Sequence, residues 1–306
     1  MKRLTAALLL LAVAYGAYVV LGLPPPAEVR ALATANPRTT ALMRQRAEEA
    51  RRAGRPARRV QAWVPLGRVS RHLIRAVLAS EDQKFFGHDG VDWEAIQKSV
   101  DEDRKKGRFA RGGSTITQQL AKNLFFTTHK TLTRKLRELV AARWMEQELS
   151  KRRILELYLN VIEWGDGVYG AEAAARRWYG KSAADVGEEE AAGLAAMIPN
   201  PRRINPSVSP ARFARARRRV LWLMANAGSA RGQADRLGAE PEPEPEEKIE
   251  EEDEEVGPPP EPDRLAEPAP MPEATPTPEL LDAPETTEPA SPSPGTGSET
   301  TGENRL

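Results

Sequence analysis

The sequence predicts a mainly α-helical domain behind a single N-terminal transmembrane helix, followed by a disordered acidic tail. Three observations carry this. An uncharged apolar run, Leu4 to Leu23, follows Met1-Lys2-Arg3 at the N-terminus. Helical periodicity then continues almost unbroken from Val69 to Met224. Finally, a near-neutral total of 45 Lys+Arg against 44 Asp+Glu hides a sharp split. Residues 240–306 hold 21 acidic and 3 basic residues and 16 of the 26 prolines, leaving 42 basic and 23 acidic residues before them. With no cysteine among 306 residues, disulfide scaffolds, thiol chemistry and cysteine metal sites are excluded.

Residues 1–23 read as a short cytoplasmic stub and a membrane anchor. Twenty residues at about 1.5 Å rise span about 30 Å, the thickness of a hydrocarbon core. Lys2 and Arg3 favour a cytoplasmic N-terminus with the rest of the chain translocated. A cleaved signal peptide is the rival; Ala12-Val13-Ala14 has the small-x-small pattern, but the apolar run continues past it. Pro24-Pro25-Pro26 ends the helix. Residues 24–64, rich in Arg and Ala, read as a stalk, and 65–239 as the folded domain. Residues 240–306, with little apolar surface to offset ordering entropy, read as a disordered tail. That tail reads as a solvated spacer or as an acidic segment that contacts the basic domain or an extracytoplasmic partner.

Within the domain, Ile74, Val77, Leu78 and Glu81 follow i, i+3, i+4, i+7, which sets the Glu81 carboxylate on the apolar stripe of its helix. A carboxylate there needs a partner or a task. Asp82 adjoins it, and two acids in different surroundings suit general acid–base chemistry. A buried structural ion pair is the alternative. His72, His88 and His129 have no zinc spacing. The charged interval Asp101 to Arg111 reads as mobile. The run Gly112-Gly113-Ser114-Thr115 then opens a helix, with Thr115 and Gln118 placed for a capping box. Free N–H groups at such a start attract anions, and Lys122, four residues after Gln118, shares its face. Arg134 with Glu138 and Lys135 with Glu138 stand at i, i+4 and i, i+3, either a surface ion pair or a cationic clamp beside a second carboxylate.

Taken together, these segments resemble the peptidoglycan glycosyltransferases. The residues concerned are Glu81-Asp82-x-x-Phe85-x-x-His88-x-Gly90, Gly113-Ser114-Thr115-Ile116-Thr117-Gln118-Gln119-Leu120-x-Lys122-Asn123, Arg134-Lys135-x-x-Glu138, and Lys151 to Asn160. A looser fifth motif, Arg218-Arg219-Val220-Leu221, leaves Arg218 and Arg219 in doubt as site residues. Asn160 to Gly165 and Pro199 to Arg203 resemble the monofunctional branch, the biosynthetic peptidoglycan transglycosylases, and no Ser-x-x-Lys or Lys-Thr-Gly transpeptidase motif follows.

The resemblance implies a lysozyme-like fold and the polymerisation of lipid II into β-1,4 glycan strands in cell wall biogenesis, at the outer face of the cytoplasmic (inner) membrane. It implies Glu81 as general base and Glu138 as second essential glutamate. Lys122, Arg134 and Lys135 match the pyrophosphate clamp, while Asp82, Ser114, Thr115, Gln118 and Asn123 shape or line the cleft. Lys151, Glu156 and Asn160 read as supports; Phe85, Phe86 and Trp93 touch either lipid or core. No obligatory cofactor is implied, although Mg or Mn could accompany the pyrophosphate. The expected partners are lipid II, a lipid-linked glycan strand, membrane lipids and cell-wall synthesis proteins, with no nucleic acid. A lytic hydrolase would share the helix-borne carboxylate but has no use for the clamp; a non-catalytic scaffold would not need both acids.

Overall fold

The computed structural model describes residues 2–106, 113–128 and 131–238. His129, Gly112 and the whole tail 240–306 lie outside them. The helices in chain order are α1 (Lys2–Leu21), α2 (Pro26–Ala31), α3 (Ala41–Arg52), α4 (Arg71–Glu81), α5 (Trp93–Lys106), α6 (Ile116–Phe125), α7 (Leu132–Glu148), α8 (Lys151–Val161), α9 (Ala171–Tyr179), α10 (Glu188–Met197), α11 (Pro210–Asn226) and α12 (Gly228–Gly238). Three short strands, β1 (Val60–Gln61), β2 (Glu163–Gly165) and β3 (Val168–Tyr169), form a sheet of order β1-β3-β2. β1 runs parallel to β3 with Val60 opposite Val168; β2 is antiparallel to β3 with a register shift between Glu163 and Gly165. The mainly α expectation therefore holds.

α8 lies at the centre. Ile154, Leu155, Leu157, Tyr158, Leu159 and Val161 are all fully buried, so the helix is apolar around most of its circumference, as a core helix must be. Ser150 caps its N-terminus by accepting from the Arg153 amide. α10 is a run of small residues that lets its neighbours approach closely. A Cβ at Gly193 would sit 2.1 Å from the Tyr179 hydroxyl and 3.2 Å from Phe213, so a side chain there would have to displace both rings. α4, α6 and α7 pack around this centre and hold the charged residues taken up below.

Two expectations are corrected. Residues 24–64 are part of the domain rather than a free stalk. Val29 and Leu32 are buried in the main core, and Leu42 and Met43 pack on Tyr169. Gln61 and Val60 extend the sheet, and Arg153 donates to the Leu32 and Ala35 carbonyls. Arg46 on α3 pairs with the buried Glu163 at 2.9 Å. Arg202 pairs with Glu49 at 3.0 Å and with Asp166 at 3.1 Å, closing the connection. Lacking long periodicity, these short elements gain order only from distant partners. Second, of the interval Asp101 to Arg111 read as mobile, residues 101–106 are helical as the end of α5, and residues 107–111 lie outside the described residues.

α1 is 20 residues long and has its leucines exposed, and it is the one span among the described residues apolar enough to cross a membrane. Its end contacts α7, where the Tyr15 hydroxyl meets that of Thr133 at 3.1 Å and the Arg137 guanidinium lies 4.7 Å from the centre of the Tyr18 ring.

Burial pushes the Glu163 carboxyl above the usual range, and Arg46 opposes that shift. Arg46→Ala strands the buried carboxylate and should destabilise the fold by about 3 kcal/mol at neutral pH. An elevated folded-state pKa means the ionised form costs stability as pH rises through it. The deficit should therefore shrink as the pH falls and Glu163 takes a proton. Melting temperatures across pH check this; a free stalk would show no loss.

Candidate active site

Two adjoining cavities meet at Ser114 and Gln119, one of about 890 Å³ and one of about 430 Å³. Glu81, Asp82, Ser114, Thr115 and Arg219 border the larger; Gln118, Lys122, Arg134, Lys135 and Glu138 border the smaller. The sequence-predicted residues thus converge on one cleft, except Asn123, which is buried on α6 outside both linings.

Glu81 is the last residue of α4. The apolar stripe that carries it, Leu73, Ile74, Val77 and Leu78, is buried in the core, so the carboxylate emerges where core gives way to cavity. It accepts from Gln119 Nε2 at 2.9 Å, and Gln119 Oε1 accepts from the Tyr158 hydroxyl at 3.0 Å. Tyr158 is fully buried with its proton retained, because burial and the nearby Glu81 and Asp82 raise its pKa well above the usual value. Its hydroxyl donates to Gln119 Oε1 while Glu81 accepts from Gln119 Nε2, so each end of the amide meets a matched partner and its N–H faces Glu81. Desolvation pushes the Glu81 pKa up; the Gln119 hydrogen bond, Lys122 and Arg219 pull it down, while Asp82 adds to the rise. A raised carboxyl that opens onto a cavity suits a general base.

Asp82 holds the frame. Its Oδ2 accepts from the Ile116 amide, at the first turn of α6, at 3.0 Å, and both oxygens lie 3.1 Å from His88 Nε2. Because His88 Nδ1 accepts from the Gly90 amide at 3.2 Å, the proton sits on Nε2 and is donated to Asp82. Thr115 caps α6 by accepting from the Gln118 amide at 3.2 Å, and its hydroxyl donates to the Gly90 carbonyl at 2.7 Å. Gly90 has φ +84°, with Ala142 and Glu146 pressed against the place of a side chain, so only glycine fits the turn. The capping box forms by half: the Gln118 side chain turns away to Gly90 O, and its Oε1 accepts from Lys135 at 2.9 Å.

The second carboxylate, Glu138, is 3% exposed, which excludes the surface-pair alternative. Arg134 donates to one of its oxygens, and Lys135 Nζ lies 3.6 Å from the other. Lys135 also donates to Ser114 Oγ at 2.8 Å. Lys122 differs. Its ammonium is largely withdrawn from water and has no hydrogen bond or ion pair among the described residues. Desolvation lowers its pKa, as do Arg134 and Lys135, while Glu138 and Glu81 on either side oppose the drop. Burial also lowers the pKa of Lys135. Three cations against one carboxylate leave the smaller cavity electropositive.

The family model described as transglycosylase matches residues 47–225. The chain belongs to the transglycosylase family. It is therefore a glycosyltransferase, and the match begins inside the stretch first read as a stalk. A biosynthetic peptidoglycan transglycosylase of Dechloromonas aromatica (strain RCB) is 55% identical over 167 residues, covering 55% of this chain and 72% of the relative. Those of Azoarcus sp. (strain BH72) and Nitrosospira multiformis are each 49% identical over 192 residues, covering 62% and 63% of this chain and 83% and 84% of the relative.

Other residues take clear places. Lys151 donates to Glu146 at 2.9 Å and to the His88 carbonyl, while Glu156 accepts from the Leu66 amide and Asn160 bonds both the amide and carbonyl of Val64. All three brace the site from behind. Phe85 is core, whereas Trp93 is 70% exposed. Sequence reasoning passed over Gln119 and Tyr158 and left Arg219 in doubt. The spacing of Thr115, Gln119 and Lys122, at i, i+4 and i+7, was the available signal for the first.

The Gln119 bond holds the Glu81 pKa down, so Gln119→Leu should move the acid limb of the transfer rate to higher pH as well as slow the reaction. A pH profile of kcat/KM reads this directly; an unmoved acid limb would remove Gln119 from its positioning role.

Proposed function

We propose that this chain is a peptidoglycan glycosyltransferase that polymerises lipid II into β-1,4-linked glycan strands with inversion, releasing undecaprenyl pyrophosphate. The observation that carries the proposal is Lys122: a desolvated, unpartnered ammonium between the Glu81 carboxylate and the Arg134–Lys135–Glu138 cluster. Such a group is held ready for an anion that arrives with the substrate.

Glu81 takes the proton from the 4-hydroxyl of the acceptor sugar in the larger cavity. That oxygen forms its bond to the anomeric carbon of the lipid-linked strand as the bond to the pyrophosphate oxygen breaks on the opposite face. The electron pair leaves with the pyrophosphate, where Lys122, Arg134 and Lys135 receive the developing charge. Glu138 keeps Arg134 and Lys135 aimed inward, and Ser114 and Gln118 hold Lys135 at its other side. Asp82 and Thr115 keep the α4–α6 junction, and with it Glu81, in register.

A resident metal does not fit. Glu138 is engaged by two cations, and no group of three or more His, Cys, Asp and Glu among the described residues is arranged to hold one. A divalent Mg or Mn ion would find its ligands on the pyrophosphate itself. Helix α1 anchors the domain at the inner membrane, with Lys2 and Arg3 cytoplasmic and the catalytic domain periplasmic, where a long-tailed substrate and other cell-wall synthesis proteins reside. There it would contribute to cell wall biogenesis and cell shape.

Glu81→Gln should cut polymer formation from lipid II by about a hundredfold or more. It should leave the melting temperature at neutral pH unchanged or higher, because it removes a carboxylate whose raised pKa makes ionisation costly in the fold. Normal polymerisation by this variant would overturn the assigned base. Lys122→Arg stays charged to higher pH, so the alkaline limb of the remaining activity should move upward. A limb that stays in place would show that Lys122 does not set it.

A further inference from the structure

One feature of the larger cavity is used by no step of the transfer. Helix α11 lines it with Arg212, Arg215 and Arg219. Their i, i+3, i+7 spacing puts three guanidiniums on one face, along about 10 Å of helix axis. All three are exposed, and among the described residues none has an ion pair or hydrogen bond. Arg217, off this row, is paired with Glu189 at 3.7 Å. Like charges at these spacings repel, so the row is unfavourable until an anion lies along it. Ala216, Val220 and Leu223 line the same wall between the arginines. A wall that alternates cations and apolar groups suits a chain molecule more than a bare ion.

The shape of the row separates two anions. Pyrophosphate is compact, and Lys122, Arg134 and Lys135 already serve it in the other cavity. Guanidiniums spread over about 10 Å match anions spaced along an extended chain, which advances about 3.3 Å per residue in a peptide. A peptidoglycan precursor carries such a chain: a peptide stem on its sugar, with side-chain and C-terminal carboxylates. Arginine forks bind carboxylates with two parallel hydrogen bonds. Glu81, which activates the acceptor, lines this same cavity, and Arg219 is close enough to influence its charge.

We infer that Arg212 and Arg215, with Arg219 at the inner end, form a carboxylate-reading wall for the peptide stem of the acceptor unit. This rests on the polymerase function proposed above. Arg212 and Arg215 would set acceptor affinity and leave the chemistry to Glu81.

The full-length enzyme, in detergent and in vesicles with and without anionic phospholipid, tests this with two substrates: lipid II with free stem carboxylates and lipid II with those carboxylates amidated. Arg212→Gln/Arg215→Gln keeps good helix formers on an exposed face, so folding should survive; its melting temperature verifies that. The double variant should raise KM for the free-carboxylate substrate about tenfold, as expected for lost charge-assisted hydrogen bonds, and leave KM for the amidated substrate near that of the parent. An equal rise with both substrates, or none with either, overturns the carboxylate wall. A defect seen only in anionic vesicles assigns the arginines to lipid headgroups, with Trp222 beside them, and overturns it as well. Failure of the unmodified enzyme to polymerise either substrate overturns the polymerase function, and this inference with it.

Discussion

The α4–α6 junction depends on Asp82. Its carboxylate takes the Ile116 amide at the start of α6 and the His88 proton, while it also ends α4 directly after Glu81. One side chain thus joins the C-terminus of α4 to the N-terminus of α6. The free amides of a helix start are the natural partners of such a carboxylate. With that junction set, Gln119 and Lys122, one and two turns along α6, come to face Glu81 and the neighbouring cavity. Thr115 and Gly90 close the same junction from the other side.

From this frame follows a division of labour between two carboxylates that differ little as chemical groups. Glu81 has one hydrogen bond from a neutral amide, and its burial favours the protonated form. Glu138 is also buried but is embraced by Arg134 and Lys135, so its charge is spent on orienting cations. In the proposed reaction, these environments suit the first to proton transfer and the second to electrostatics. Lys122 sits between them as the cation with no hydrogen bond or ion pair among the described residues, a position that in the proposed reaction would meet leaving-group charge.

The rigidity this needs comes from behind. Tyr158 on the central helix α8 reaches Gln119 from within the core, and Lys151, Glu156 and Asn160 on the same helix fasten the loops on which the site stands. Residues 24–64 pack against α6, α7 and α8 and are locked by the Arg46–Glu163 pair. A site held to fractions of an ångström requires such second contacts, since unsupported side chains would sample other rotamers.

Much of this was legible in the residues alone. Period 3.6 placed Glu81 on an apolar stripe, Gly-Ser-Thr marked the start of α6, and spacing paired Arg134 and Lys135 with Glu138, because all are relations within one turn or one helix. Local geometry is set by local sequence. Burial is not: an i, i+4 ion pair looks the same on a surface helix as in a cavity, and only the packing of α6 against α7 shows which one Glu138 makes. The Tyr158–Gln119–Glu81 relay joins residues 39 and 38 positions apart. The order of residues 24–64 rests on β3 and α8 far along the chain. The sequence by itself therefore determined the helices of the domain's centre, the apolar N-terminal span and the identity of the acids and cations. Only the tertiary structure decided which charges lose water, which find partners and which stay free, because desolvation and pairing depend on groups that folding brings together from distant parts of the chain.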